Sequence, residues 1–196
     1  MHHKYHSAGF VLANFNSGEA NKAYKIFTRE LGLVIASAQS VRAPASKLRA
    51  SLVDYSLGRF TFIQTRRGWR ITDATTEKNL YFTFEENSKL LLCSRFFSLL
   101  QKLLPDEEPN PELFDGFLND MEFLNSNIFS TESFKNFECV IILKMLSSLG
   151  YLDKTGPWQP FIKTGKTNMA ILEGFSPLRK QAIKEINVSF KESQLV

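Results

Sequence analysis

Between Tyr5 and Ala74 the chain strings together five β-rich segments, and most of the connections between them are too short to hold a crossover helix. Parallel neighbours need such a crossover, so these segments are expected to pair mainly antiparallel in a small, highly curved sheet. Tyr5–Asn14, centred on Phe10-Val11-Leu12, reads as the first strand, and Asn16-Ser17-Gly18 supplies turn chemistry after it. The stretch from Lys22 to Leu52 organises the rest. Tyr24, Ile26 and Phe27-Thr28 form a strand, Glu30-Leu31-Gly32 turns it, and Leu33-Val34-Ile35-Ala36 returns as the other half of a hairpin. Val41-Arg42-Ala43-Pro44-Ala45-Ser46-Lys47-Leu48-Arg49 has neither helical nor strand periodicity and reads as a loop presenting charge, with another strand starting near Leu52. That fourth strand runs Leu52–Gln64 with a bulge or bend at Gly58. Arg66-Arg67-Gly68 makes a cationic turn, and the fifth strand begins at Trp69 and ends at Asp73-Ala74. A five-stranded OB-type barrel is the leading candidate, and an SH3-like barrel has a similar strand budget.

From about Ser88 the hydrophobic period changes from two to 3.6. Leu92, Cys93, Phe96, Leu100, Leu103 and Leu104 share one face of a helix, opposite Ser94, Arg95, Ser98, Gln101 and Lys102. Asp106-Glu107-Glu108, set between two prolines, forms an acidic connection. Asn110-Pro111-Glu112 then starts a second helix through Phe114, Phe117, Leu118, Met121 and Leu124. Phe134–Leu149 is apolar on almost every side, as befits the buried centre of a bundle, and Gly150 stops it. Gly156–Pro160 reads as a loop, Asn168–Glu173 as a short helix, and Ser176-Pro177 as the start of a helix through Ile186. The expected fold class is α+β, with an OB barrel over residues 1–80 and an α-helical domain over 81–196.

Charge divides the chain in the same place. Residues 1–80 hold 12 Lys and Arg against 5 Asp and Glu, a net of +7, whereas residues 81–196 hold 12 against 15, a net of −3. A polyanion is therefore the expected partner of the first part. Cys93 and Cys139 sit in apolar helical stretches with neither disulfide nor metal-ligand spacing, and read as small buried hydrophobes of a reducing compartment. No apolar run is long enough for a membrane span and no secretory signal opens the chain, so a soluble cytoplasmic protein is expected. His2, His3 and His6 crowd the N-terminus, where a chance cluster is a simpler reading than a metal site. No nucleophile–base pair or acidic metal cluster marks the chain as an enzyme.

The candidate polyanion contacts are Lys22, Lys25, Arg29, Arg42, Lys47, Arg49, Arg66, Arg67 and Arg70, with Arg59 in the same basic set. Arg42, Lys47 and Arg49 stand out because they cluster in one loop after a hairpin. Arg66, Arg67 and Arg70 read equally well as charges that keep a sheet edge from aggregating, and Arg29 as a brace for the hairpin beside Glu30. Tyr55 and Trp69 are candidates for base stacking, while Phe60 and Phe62 belong in a barrel core. Arg95 and Lys102 could receive an acidic, hydrophobic peptide or simply face solvent. Asp106, Glu107 and Glu108 read as a solvated loop in preference to a cation site.

In this order and spacing the motifs resemble the bacterial recombination protein O (RecO) family over most of the chain. Gly18-Glu19, Phe27-Thr28-Arg29-Glu30-Leu31-Gly32 and Arg42–Arg49 look like the family's N-terminal signature. Leu103–Phe114 resembles its first interhelical connection, and Phe137-Glu138 with Leu149-Gly150-Tyr151 its central helix and stop. The resemblance implies a non-enzymatic mediator of recombinational repair, without cofactor. Such a protein binds single- and double-stranded DNA and anneals complementary strands. It partners RecR, engages the C-terminal tail of single-stranded-DNA-binding protein (SSB), and indirectly helps load RecA, at the nucleoid. Many members carry a four-cysteine zinc site in the helical domain; neither CxxC pair is present here. A generic OB-fold module that binds RNA or associates with ribosomes would share the barrel and its charge.

Overall fold

The computed structural model describes residues 3–152, 155–163 and 166–192. It divides into two compact units, 1–111 and 112–196. In the first, five strands close into a barrel in the order β1-β2-β3-β5-β4. They are β1 (Lys4–Asn16), β2 (Lys22–Thr28), β3 (Gly32–Ala38), β4 (Ser56–Thr65) and β5 (Gly68–Asn79). Every pairing is antiparallel except β3 with β5, which closes the barrel through Ala36↔Trp69 and Ser37↔Arg70. Following the ladder once around, from Phe15 to Ala23, Ser37, Arg70, Ile63 and Lys4, returns to β1 displaced from residue 15 to residue 4. Closed barrels need such a stagger, and here it makes β1 long enough to pair with β4 by its first half and β2 by its second.

The barrel interior holds Val11, Tyr24, Ile26, Val34, Ala36, Phe60, Phe62 and Ile71, so Phe60 and Phe62 are core residues. Burial of Tyr24, with Asp54 adding a smaller push, raises its phenol to about 12. The consecutive burial of Phe10, Val11 and Leu12 has a second cause. A helix, α3 (Asn87–Leu103), covers the outer face of β1 with Phe97 edge-on to Phe10 at 5.8 Å, and Gln101 Nε2 donates to the Leu12 carbonyl at 3.0 Å. α3 is thus part of the first compact unit, although β structure ends at Asn79, next to the expected boundary at 80/81.

Local departures have local reasons. Where another strand was expected near Leu52, Leu48–Ser51 forms a one-turn helix, α1, and β4 starts at Ser56. β5 continues to Asn79, well beyond Ala74, because its polar second half pairs with Ser56–Phe60. The irregularity expected at Gly58 is a register shift between Leu57 and Gly58, where an added Cβ would run into the Thr75 carbonyl. Gly32 turns the β2–β3 hairpin at φ +72, and a Cβ there would collide with the Glu108 backbone. Gly32→Ala is therefore expected to cost about 2–4 kcal/mol, from left-handed strain plus the clash. Urea unfolding would read this as a lowered midpoint, and an unchanged midpoint would contradict it.

The second unit contains α4 (Pro111–Ser126), α5 (Thr131–Ser148), α6 (Gln159–Ile162), α7 (Met169–Phe175) and, after the 3-10 turn Ser176–Leu178, α8 (Arg179–Glu192). α5 is central, packing against α6, α7 and α8 with Phe137, Val140, Ile141, Leu143 and Leu146 buried. Ser130 caps it by accepting from the Ser133 amide at 3.1 Å, and Asn168 caps α7 by accepting from the Ile171 amide at 2.9 Å. The expected loop Gly156–Pro160 gives way at Gln159, where proline within the first turn suits the start of α6. α8 runs beyond Ile186.

Both cysteines are buried. Burial pushes the Cys93 thiol up to about 12; burial, with Glu138 adding and Arg179 opposing, pushes Cys139 up to about 11. The thiolate is the reactive form, so neither thiol is expected to react with a disulfide reagent at pH 8 until the protein is unfolded in urea. Rapid labelling of the native protein would contradict this.

Candidate nucleic-acid interface

The basic loop is built from alternating anchors and exposed cations. Val41 and Leu52 are buried in the barrel core and Leu48 packs against it, while Arg42, Lys47 and Arg49 between them are exposed. Its backbone proceeds by short turns, Ala43 N–H to Ser40, Ser46 to Ala43 and Arg49 to Ser46, ending in α1. The loop is tied to the β1–β2 connection at three points. The Arg42 amide donates to the Ala20 carbonyl at 3.2 Å, its guanidinium donates to the Gly18 carbonyl at 3.4 Å, and the Ser40 amide donates to Asn21 Oδ1 at 2.8 Å. Among the described residues, Lys47 and Arg49 form no ion pair. Charges held exposed and uncompensated on an anchored loop are suited to meeting phosphate.

Barrel closure adds to this end of the molecule. The stagger brings the start of β5 beside the end of β3, where Arg70 donates to Gln39 Oε1 at 3.2 Å, at the entrance to the loop. Lys22 pairs in register with Ala38, and its ammonium donates to Asn14 Oδ1 at 2.7 Å; Asn14 in turn donates to Asp54 at 2.8 Å. Lys22, Arg42 and Arg70 therefore surround the segment from Ala38 to Val41. Arg66 and Arg67 are exposed in the β4–β5 turn, which Thr65 braces by donating to the Gly68 carbonyl at 2.7 Å.

The other candidates fall elsewhere. Lys25 is half-buried on the barrel wall, opposite Ala13 and Ile35. Arg29 lies at the β2–β3 turn, about 20 Å along β3 from the loop. It pairs with its neighbour Glu30 at 3.3 Å, and Glu30 also accepts from Ser7. Arg59 is paired with Glu77 at 2.8 Å. Arg95 and Lys102 are exposed on α3, about 10 Å apart along its axis.

Tyr55 and Trp69 are engaged in packing. Tyr55, at φ +67, lies against Phe97 at 5.1 Å, and burial, then Asp54 and Cys93, raises its phenol above the ordinary value. Trp69 meets Tyr5 edge-on at 5.0 Å and Phe62 at 6.3 Å, and its indole N–H donates to Glu107 at 2.9 Å. The acidic connection consequently does more than solvate itself. Asp106 bridges to Leu33 and the Glu107 amide donates to the Leu33 carbonyl at 3.0 Å, covering the part of β3 that β5 does not reach. The aromatic side chains most exposed among the described residues are different ones, Phe82 at 79% and Tyr81 at 51%, followed by Phe15 at 46%. The only hint of them in the sequence is the adjacency of two rings just before the helical period begins near Ser88.

Among the described residues no three His, Cys, Asp or Glu side chains gather as a metal site. His2 lies outside the described residues; His3 packs on Tyr5 at 4.6 Å and His6 contacts Thr61 Oγ1 at 3.1 Å. Also among the described residues, no helix is long and apolar enough to cross a membrane.

Residues 1–78 match the family model described as recombination protein O N terminal, and residues 85–152 match recombination protein O C terminal. Curated relatives include the DNA repair protein RecO of Acetivibrio thermocellus, 23% identical over 82% of this chain and 62% of the relative. Those of Halalkalibacterium halodurans (29%, 65% of this chain and 50% of the relative) and Thermodesulfovibrio yellowstonii (30%, 76% and 58%) are also similar. The chain thus spans about half to three fifths of the length of these relatives. The closed barrel with its cationic loop spans the first matched region and the helices α3 to α5 fill the second, and on this agreement of two successive matches with the architecture the chain belongs to the recombination protein O family.

Proposed function

We propose that this chain acts in DNA repair and recombination as a non-enzymatic mediator that binds single- and double-stranded DNA and anneals complementary strands. The observation that carries the reading is the anchored loop exposing Arg42, Lys47 and Arg49, with Lys22 and Arg70 at its entrance, on a barrel of the recombination protein O family. Cations held on one surface lower the repulsion between two phosphate backbones, and because they read phosphate they leave base edges free to pair. Arg66 and Arg67 extend this surface, with Lys25 a further contact on the barrel wall. By family analogy the partners are RecR, the SSB C-terminal tail on the Arg95–Lys102 face of α3, and indirectly RecA.

The test is binding to a labelled single strand, a duplex and an RNA of the same sequence, each titrated with salt. Tight, salt-sensitive binding to both DNA forms is expected. Binding confined to RNA would replace this reading with that of an RNA-binding barrel.

A further inference from the structure

A single turn of helix, α2 (Leu80–Thr83), joins the barrel to α3 and has two opposite faces. Leu80 and Phe84 point inward, 2% and 6% exposed, while Tyr81 and Phe82 point out as an edge-to-face pair 5.3 Å apart. The turn is held firmly. Asn79 caps it by accepting from the Tyr81 amide at 2.9 Å and donates to the Asp54 carbonyl and Ser56 hydroxyl at 3.2 and 2.8 Å. The Leu80 amide donates to the Tyr55 carbonyl at 3.0 Å, and Thr83 donates to the Asn79 carbonyl at 2.8 Å. Two aromatic rings are therefore displayed to water on a preorganised support, an arrangement that core packing does not require.

What lies beside them selects the occupant. α1, which carries Arg49 and follows Lys47, packs against β5, where Thr76 donates to the Ser51 carbonyl at 3.2 Å. From Thr76 to Phe82 the chain advances roughly 15 Å, a span of a few nucleotides. Val53, 41% exposed, lies in the segment to which Asn79 is bonded. Beyond the rings in sequence come Glu85 and Glu86, the latter paired with Lys89 at 2.9 Å, whereas the exposed cations Lys47 and Arg49 lie on the α1 side. A flexible polyanion with flat apolar groups matches this order of charge and rings.

We propose that Tyr81 and Phe82 form a stacking platform for unpaired bases of a single strand whose phosphates lie on the Lys47–Arg49 loop. The inference rests on the reading of the barrel as a DNA interface and adds to it a preference for unpaired bases over bare phosphate. The test compares a labelled 20-mer of thymidylate with an abasic strand of the same length and charge. The proteins compared are wild type, Phe82→Leu, and Tyr81→Ala with Phe82→Ala. Wild type is expected to prefer the thymidylate strand at least about 10-fold. The double variant is expected to lose about 10- to 100-fold for that strand and stay within about twofold of wild type on the abasic one. Phe82→Leu, which keeps an apolar side chain and the fold but removes the ring face, is expected to shift the same way. Equal thymidylate binding by all three proteins would overturn the platform and leave the rings to a protein partner; so would equal losses on both strands. Failure of wild type to bind either strand would overturn the DNA reading itself.

Discussion

Changing Arg42, Lys47 and Arg49 together to alanine is expected to weaken single-strand binding about 100-fold at 0.1 M salt and to reduce the slope of log K against log salt by about 2. The arithmetic follows from counterion release: each neutralised phosphate contributes about 0.7 to the slope, hence about 0.7 decades at 0.1 M. The two genotypes should converge as salt approaches 1 M. Folding should be little affected, because these side chains are exposed and the anchors Val41, Leu48 and Leu52 stay in place. Anisotropy titrations between 0.05 and 0.5 M salt check the expectation. Parallel salt plots for the two proteins would show that these cations do not meet phosphate.

Asp120→Ala in the second unit is expected to lower its stability by about 3–5 kcal/mol, because it removes the acceptor for Lys144 and Thr167 and leaves a void. Asp120, 2% exposed, lies 3.2 Å from the Lys144 ammonium, itself 13% exposed, and Thr167 bonds to both, at 2.7 Å to Asp120 and 2.8 Å from Lys144. Removing the carboxyl group leaves a buried ammonium without its acceptor, whereas Asp120→Ala with Lys144→Met removes both polar groups and should recover much of the loss. Burial raises the Asp120 carboxyl above its ordinary value, opposed by Lys144 and the Thr167 hydrogen bond. The folded protein therefore holds this proton more tightly than the unfolded chain does. Its contribution to stability declines as pH rises from the ordinary carboxyl range through the raised value. Urea unfolding of the single and double variants as a function of pH measures both effects; a single-variant cost below about 1 kcal/mol would contradict the pairing.

What was legible in the sequence was what rests on local signals. Alternation and turn residues located the β2–β3 hairpin and the Arg66-Arg67 turn, and helical periodicity placed Leu92, Phe96 and Leu100 on the buried face of α3. Four residues cannot show a period, so α1 at Leu48–Ser51 is not legible where the basic loop ends and the strand is expected to start at Leu52. The polar end of β5 is a strand because β4 pairs with it, which its own residues do not announce. The site was harder because it depends on contacts across the chain. Arg70 joins the loop only through barrel stagger, and Tyr55 is covered by Phe97, which lies on a different element. Asp120, Lys144 and Thr167 come from three separate segments, so nothing near any one of them signals the other two.

The central claim is that the loop of a closed barrel gathers DNA strands for pairing, and annealing of complementary labelled oligonucleotides precoated with cognate single-stranded-DNA-binding protein tests it most directly. Wild type is expected to accelerate annealing, and the folded Arg42→Ala, Lys47→Ala, Arg49→Ala variant to leave it near the rate without protein. Wild type that leaves the rate unchanged at every salt concentration, or a triple variant as fast as wild type, would contradict the account.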